Sequence, residues 1–241
     1  MKLINNTKII AHQGYGDLNI RNTIPAFINA ISLKTDMIEL DIHETRDGKF
    51  IVFHDNSFDE SSPQWKDLTY LEVCKLTGQD KRVPLLSECL EVIGKTPIDL
   101  EIKSCLSINN LIKELSNCSL LIGSVISSLD LTILRQLHEK DVKIPLLLII
   151  AISSKRSLVQ NLRNLTIYLF PKLMPKYLNG VAIYKLLARK ELISTLKIRH
   201  AKVFVWTVDE LDDMKKFISL GVDGIITNHI DLLKDAIVNT E

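Results

Sequence analysis

The sequence predicts an α/β protein, a (β/α)8 TIM barrel with a short insertion after the second strand. Short apolar runs rich in β-branched residues alternate with longer amphipathic stretches along the chain, which is typical of parallel strands joined by crossover helices. About eight strand–helix units in a chain of 241 residues fit a closed barrel better than an open sheet. We therefore expect one domain over residues 1–241.

The expected elements follow from helical and strand periodicity. The first helix covers Thr23 to Leu33, with Asn22 or Thr23 as its candidate N-cap, and a second begins at its candidate cap Ser107. Strands are expected near 8–12, 36–42, 50–54, 97–103, 121–127, 144–150, 180–184, 202–207 and 223–227. Helices are expected over 23–33, 107–117, 129–140, 189–199 and 211–220. The strand near 50–54 extends the second strand through a turn at Asp47-Gly48, and residues 151–179 give no clear element.

Composition excludes several classes of function. Lys and Arg number 30 against 29 Asp and Glu, so we expect no nucleic-acid partner. The N-terminus becomes polar too early for a signal peptide, and the longest apolar run, Ile144 to Ile152, is shorter than the roughly 20 residues of a transmembrane helix. Four widely spaced cysteines favour thiols in a reducing cytoplasm over a zinc site. We expect a cytoplasmic protein without a transmembrane segment.

Charged residues interrupt two strands that otherwise have the composition of buried ones. Side chains alternate along a strand, so Glu39 and Asp41 lie opposite the apolar face of the second strand, and Asp99, Glu101 and Lys103 do the same in a later strand. One interpretation is that the polar sets point into the mouth of a barrel. The alternative is an edge or antiparallel strand whose polar face meets water.

In the barrel interpretation, the carboxylates form a metal site. Isolated buried carboxylates are costly, and a divalent cation held by Glu39, Asp41 and Glu101 offsets that cost. Hard oxygen ligands favour Mg²⁺ or Ca²⁺ over zinc. Lys103 on the same face is a candidate contact for a phosphate oxygen.

Two histidines end strands at the same face of the expected barrel. His12 follows Ile9-Ile10-Ala11, and His54 follows Ile51-Val52-Phe53. Each alone is typical of a structural hydrogen-bonding group. Beside a carboxylate cluster, they are candidates for a general base and a general acid. Metal, paired imidazoles and a lysine together suit transfer at phosphorus.

An ordered set of motifs resembles the glycerophosphodiester phosphodiesterase family. That family shows His-Arg-Gly, Glu-Asn-Thr, Glu-x-Asp, Thr-x-Asp-Gly, His-Asp and Glu-x-Lys in this order. The six corresponding segments here are His12-Gln13-Gly14, Arg21-Asn22-Thr23, Glu39-x-Asp41, Thr45-x-Asp47-Gly48, His54-Asp55 and Glu101-x-Lys103. Two further segments resemble the C-terminal strands of the family: Val205-Trp206-Thr207-Val208 and Gly221-Val222-Asp223-Gly224-Ile225-Ile226-Thr227. The resemblance spans almost the whole chain.

The resemblance implies metal-dependent hydrolysis of a small-molecule glycerophosphodiester to glycerol 3-phosphate and an alcohol. It implies that Glu39, Asp41 and Glu101 hold the metal and that His12 and His54 are the acid/base pair. Lys103 is implied as a phosphate contact, and Trp206 as the lining of the glycerol pocket. The alcohol, the preferred metal and the oligomeric state, a homo-oligomer included, stay open.

Four positions depart from the family pattern. Gln13 replaces an arginine that would clamp phosphate, and Arg21 replaces a glutamate. Either Arg21 supplies the lost positive charge together with Gln13 as a substrate contact, or the site has degraded or changed substrate. Asp209 stands where the family has Asn, and Asn228 where it has Asp.

Other functions remain as alternatives. One is a phosphodiesterase of the same barrel type acting on a lysophospholipid or an inositol phosphodiester. Another is a non-catalytic phosphodiester-binding relic. Phe58, Trp65 and Leu68 in the insertion form either a lid or a small core under a loop. A barrel aldolase or isomerase is disfavoured, because Thr227-Asn228-His229 lacks the glycines of a standard phosphate loop.

Overall fold

The computed structural model describes residues 6–78, 83–117, 122–151 and 158–239. Cys118, Lys155-Arg156 and the start of the fifth expected strand at 121 lie outside this part of the chain. The chain divides into two compact units, residues 1–12 with 125–241, and residues 13–124. Among the described residues, no helix combines the length and the apolar character that crossing a bilayer requires.

The first unit contains six strands, β1 (Lys8–Ala11), β5 (Val125–Ser128), β6 (Leu146–Ile150), β7 (Gly180–Tyr184), β8 (Lys202–Trp206) and β9 (Gly224–Thr227). They pair in parallel in the order β5-β6-β7-β8-β9-β1. Its helices are α5 (Leu131–Glu139), α6 (Leu158–Leu169), α7 (Lys190–Ile198), α8 (Leu211–Ser219) and α9 (Ile230–Val238). The alternation read from the sequence therefore forms parallel strands joined through helices, as expected.

The strands of the first unit are mostly apolar and mostly buried. Leu146 to Ile150 are all buried, and Ile225 and Val203 have no exposed surface. Helices α7 and α8 contribute Leu196 and Phe217 to this core, both fully buried. Continuous apolar runs of this kind are typical of parallel strands rather than of strands with one wet face.

The second unit contains three strands, β2 (Met37–Glu44), β3 (Phe50–Val52) and β4 (Ile98–Ser104). Strand β2 pairs in parallel with β4 and antiparallel with β3. The turn between β2 and β3 contains Gly48 at φ +74°, so the expected extension of the second strand is confirmed. The unit's helices are α1 (Ile24–Ser32), α2 (Tyr70–Thr77), α3 (Leu86–Ile93) and α4 (Ile108–Asn117).

The insertion after β3 has its own small core. Trp65 is fully buried with Ile51, Val73 and Val83, and its ring meets Phe53 edge-on at 5.2 Å between centroids. The Trp65 indole N–H donates to the carbonyl of Asp55 at 2.7 Å. Of the two interpretations of this segment, the packing favours the small core over a lid.

The expected helix caps have different outcomes. Ser107 accepts a hydrogen bond from the backbone of Asn110 at 3.3 Å, so it caps α4 as predicted. Thr23 occupies the N-cap position of α1, but its side chain makes no capping bond and donates instead to the carbonyl of Ile20. The Asn22 side chain is used elsewhere, in a bond to Asp41. Thr23 is therefore the N-cap residue of α1, as expected, although its side chain forms no capping hydrogen bond.

Candidate active site

Three carboxylates lie together in the second unit, on the central residues of β2 and β4. Ligand oxygens of Glu39, Asp41 and Glu101 all lie within 4.8 Å of one another. The strand register explains this, because Asp41 is the direct neighbour of Glu101 across the parallel pair. Side chains two residues apart share a face, which adds Glu39.

The polar face of β2 does not meet water. Glu39 is 4% exposed and Asp41 is 1% exposed, while the opposite face carries fully buried Leu40 and Ile42. The strand is buried along its whole length and pairs on both sides within its unit. The alternative of an edge strand with a solvated polar face is therefore excluded.

Lys103 supplies positive charge to this cluster. Its ammonium lies 3.2 Å from Asp41 Oδ1 and 3.0 Å from Glu101 Oε1. Burial opposes the charge on Lys103, but the two carboxylates outweigh it and raise the pKa of the ammonium above its ordinary value. One ammonium facing three carboxylates leaves the cluster with an excess of negative charge.

Burial and this excess of negative charge both act on the pKa values of the acids. Burial, followed by the charges of Asp41 and Glu101, raises the pKa of Glu39 well above its ordinary value. Burial also raises the pKa of Glu101, although Lys103 acts in the opposite direction. Three carboxylates converge here, and the single charge of Lys103 does not neutralise them. This set of oxygen donors fits a hard divalent cation.

Gln13 and Asn22 orient the central carboxylate. The Gln13 side-chain amide donates to Asp41 Oδ2 at 2.7 Å, and the Asn22 amide donates to the same oxygen at 2.8 Å. The backbone N–H of Gln13 donates to Glu39 Oε2 at 2.9 Å. Gln13 and Asn22 both have positive φ, near +58° and +57°, which turns the loop toward the strand.

Gly14 allows this loop to pack closely. A Cβ added at Gly14 would lie 2.7 Å from the backbone of Ala26 in α1, and its φ is +82°. The close contact with α1 fixes the loop that carries Gln13 and Asn22 against the carboxylates.

His54 lies at the exposed end of the segment after β3. Its side chain is 54% exposed, and Nδ1 lies 3.0 Å from Asp55 Oδ1. The buried His43 ring is 3.0 Å from Ser104 Oγ and 3.4 Å from the carbonyl oxygen of His54. Burial lowers the pKa of His43 to about 4, so a neutral imidazole supports the His54 backbone at neutral pH.

Glu44 is a buried acid that the sequence analysis did not single out. It follows His43 on β2, but its carboxylate accepts the backbone N–H of Ser107 at 2.7 Å and the Asn110 amide at 2.8 Å. It therefore holds the start of α4, where unpaired backbone N–H groups need acceptors.

The first unit carries His12 and Trp206. His12 follows β1, and its Nδ1 lies 2.9 Å from Asn228 Oδ1. The Asn228 amide donates to Asp209 Oδ2 at 2.8 Å. The two residues that depart from the family pattern near the C-terminus, Asp209 and Asn228, therefore bond to each other, and Asn228 also bonds to His12.

Trp206 belongs to the first unit and Arg21 to the second. The Trp206 indole N–H donates to the carbonyl of Ala182 at 3.2 Å, and its ring lies 5.4 Å from that of Tyr184 between centroids. Arg21 is partly buried on the loop after β1 and forms no ion pair with the described residues.

Comparison with known proteins agrees with this chemistry. Residues 12–232 match the sequence model of the Glycerophosphoryl diester phosphodiesterase family. A glycerophosphodiester phosphodiesterase of Caldanaerobacter subterraneus subsp. tengcongensis is 31% identical over 94% of this chain and 96% of its own length. Lysophospholipase D GDPD1 of Mus musculus is 29% identical over 95% of this chain and 86% of its own length.

A solved structure supports the same assignment at the level of fold. An Oleispira antarctica phosphodiesterase in complex with the product sn-glycerol-3-phosphate aligns with a TM-score of 0.75 at 20% identity, over 96% of each chain. The expected (β/α)8 barrel is confirmed by such solved barrels. The chain therefore belongs to the glycerophosphoryl diester phosphodiesterase family and is a phosphodiesterase of that family.

Proposed function

We propose that this protein hydrolyses glycerophosphodiesters to glycerol 3-phosphate and an alcohol with the help of a divalent metal. The observation that carries the proposal is the buried cluster of Glu39, Asp41 and Glu101, with Lys103 contacting two of its members. A related fold crystallised with sn-glycerol-3-phosphate as product supports the same substrate class.

Glu39, Asp41 and Glu101 are the proposed metal ligands, with Mg²⁺ or Ca²⁺ as the cation. When bound, such a cation polarises a phosphoryl oxygen and stabilises the negative charge of the transition state. Hydrogen bonds from Gln13 and Asn22 hold Asp41 in one orientation. Ligands fixed by neighbours of this kind lose little freedom when the metal binds.

His12 and His54 are the proposed acid/base pair. His12 is oriented by Asn228, and His54 has the carboxylate of Asp55 beside it at 3.0 Å. One takes the proton of the attacking hydroxyl, and the other gives a proton to the leaving alcohol oxygen.

Lys103, Arg21, Gln13 and Trp206 are the proposed substrate contacts. The Gln13 side-chain amide donates to Asp41, so Gln13 also positions that carboxylate. Arg21 then supplies the positive charge that the family arginine would provide. Trp206 and Tyr184 form an aromatic corner suited to the carbon skeleton of glycerol.

The Arg21 assignment is tested with Arg21→Ala, which should raise the KM for a diester about tenfold or more. Arg135→Ala, which removes an exposed arginine paired with Glu139, is the matched control and should leave KM unchanged. An Arg21→Ala protein with unchanged KM and kcat would contradict the assignment.

A lysophospholipid is the second candidate substrate. The 29% identical mouse relative is named lysophospholipase D. Leu18, in the turn Leu18–Ile20 on the loop that carries Arg21, is 74% exposed and offers an apolar contact to an acyl chain.

We propose one catalytic domain over residues 1–241. A cytoplasmic location stays a prediction.

The substrate is decided by product analysis on glycerophosphocholine and lysophosphatidylcholine at equal concentrations. We expect glycerol 3-phosphate and choline from the first, with a higher kcat/KM than for the second. Preferential release of choline from lysophosphatidylcholine would favour the second candidate. Metal and ligand binding without turnover of either would identify a non-catalytic relic.

A further inference from the structure

His12 is held by a short chain of hydrogen bonds that lies entirely within the first unit. Its backbone N–H donates to the carbonyl of Thr227 at 3.0 Å, extending the ladder between β1 and β9. Its ring Nδ1 lies 2.9 Å from Asn228 Oδ1. The position of the ring therefore depends on the residues that follow β9.

Asp209 fixes which way the Asn228 amide points. Asn228 Nδ2 donates to Asp209 Oδ2 at 2.8 Å, and the backbone N–H of Asn228 donates to Asp209 Oδ1 at 2.8 Å. A carboxylate only accepts hydrogen bonds, so the NH₂ end of the amide must face Asp209. The carbonyl end must then face His12.

Asp209 is itself held as a carboxylate. Thr227, which is fully buried, donates its hydroxyl to Asp209 Oδ1 at 3.1 Å. Partial burial acts to raise the pKa of Asp209, but the hydrogen bonds from Asn228 and Thr227 outweigh it and lower the pKa below its ordinary value. The acceptor that orients the amide is thus present at neutral pH.

The tautomer of His12 follows from the amide. Because Asn228 Oδ1 can only accept, the neutral imidazole must carry its hydrogen on Nδ1 and its lone pair on Nε2. We propose that Asp209 and Asn228 are positioning residues that hold His12 in this tautomer, so that Nε2 exchanges the proton with substrate. The proposal rests on the proposed function, which gives His12 a role in proton transfer.

Exchanging the side chains of Asp209 and Asn228, singly and together, tests the proposal. In Asp209→Asn the carboxylate that orients the Asn228 amide is lost, so we expect kcat to fall about tenfold with KM within about twofold. In Asn228→Asp two carboxylates meet at 2.8 Å, and kcat should fall as well. In the double variant D209N/N228D a carboxylate again accepts from His12 Nδ1, and kcat should return to within about threefold of the parent.

Asp213→Asn is the matched control, because Asp213 lies on α8 and pairs only weakly with Lys185, at 3.7 Å. Its kcat should equal that of the parent. A purely structural role for the pair would lower stability in the single variants without recovery of kcat in the exchange. A double variant no more active than the single variants, or an Asp209→Asn protein with parental kcat, overturns the proposal.

Nitrogen NMR of protein labelled with ¹⁵N-histidine reads the tautomer without any turnover. The His12 signals are assigned by their loss in His12→Gln. We expect a protonated Nδ1 in the parent and in D209N/N228D, and a mixture of tautomers in Asp209→Asn. A parent with hydrogen on Nε2 overturns the proposal. If the parent hydrolyses no diester, the proposed function fails, while these spectra still decide the positioning.

Discussion

Replacing Lys103 with methionine should lower the free energy of unfolding of the metal-free protein and raise its affinity for a divalent cation. The ammonium lies 3.2 Å from Asp41 Oδ1 and 3.0 Å from Glu101 Oε1. At an effective dielectric constant of about 20, each pair represents about 5 kcal/mol of gross attraction, most of it offset by burial. Methionine keeps most of the length of the side chain and removes the charge.

The expected loss of stability arises because Asp41 and Glu101 remain buried without the charge of Lys103. Lys103 is 16% exposed and Asp41 is 1% exposed, so solvent screens the pair little. Removing one partner of a buried ion pair typically costs about 3–5 kcal/mol, which for a chain of this size lowers Tm by roughly 6–20 °C. A divalent cation should restore most of this loss, since it binds only the folded cluster.

The assay is urea unfolding with and without Mg²⁺ or Ca²⁺, combined with calorimetric titration of the metal. Lys197→Met is the control, because Lys197 pairs with Asp223 at 2.7 Å but is 39% exposed, and it should cost no more than about 1 kcal/mol. If the metal-free Lys103→Met protein is as stable as the parent and binds metal no more tightly, the electrostatic account of the cluster is wrong.

Three further variants test separate parts of the account. Glu39→Gln should stabilise the metal-free protein above about pH 5 and abolish metal binding. Because the pKa of Glu39 is raised in the folded state, the contribution of Glu39 to stability is lost as pH rises through that pKa. The loss is about 1.4 kcal/mol for each pH unit that separates the folded-state pKa from the unfolded-state pKa. Unfolding of the metal-free protein from about pH 4 to 8 measures this, and an unchanged pH profile would contradict it. The pKa of His43 is lowered from 6.5 to about 4, so the neutral ring contributes stability that is present above pH 6.5 and lost as pH falls toward 4. In His43→Gln the free energy of unfolding should therefore depend less on pH in this range than in a His138→Gln control. Trp65→Ala should cost about 3–5 kcal/mol in urea unfolding, because a fully buried ring is removed, and a cost below about 1 kcal/mol would mean that the insertion does not unfold with the rest.

The sequence predicted the strands well, because parallel strands covered on both faces are short, apolar and separated by helices. The residues of α6 were not assigned, since prolines after the helix obscured its period; Pro171 in fact begins a separate short turn. Thr69 and Glu72 form a capping box at the start of α2, and the spacing of these two residues is recognisable from sequence.

The site was predictable where strand alternation alone decides which side chains converge. Glu39, Asp41, Glu101 and Lys103 met as expected because their parity and the parallel register bring them together. The roles of Gln13 and Asn22 could not be found this way, since their bonds to Asp41 cross 28 and 19 residues of chain. Such contacts depend on loop conformation, which periodicity does not specify.

The most direct test of the central claim is hydrolysis of glycerophosphocholine by EDTA-treated protein before and after metal is returned. We predict that EDTA abolishes release of glycerol 3-phosphate, that Mg²⁺ or Ca²⁺ restores it in the parent, and that neither restores it in Glu39→Gln. Release that continues at the parental rate in EDTA, or in Glu39→Gln, would contradict the claim that the three carboxylates hold a metal needed for the reaction.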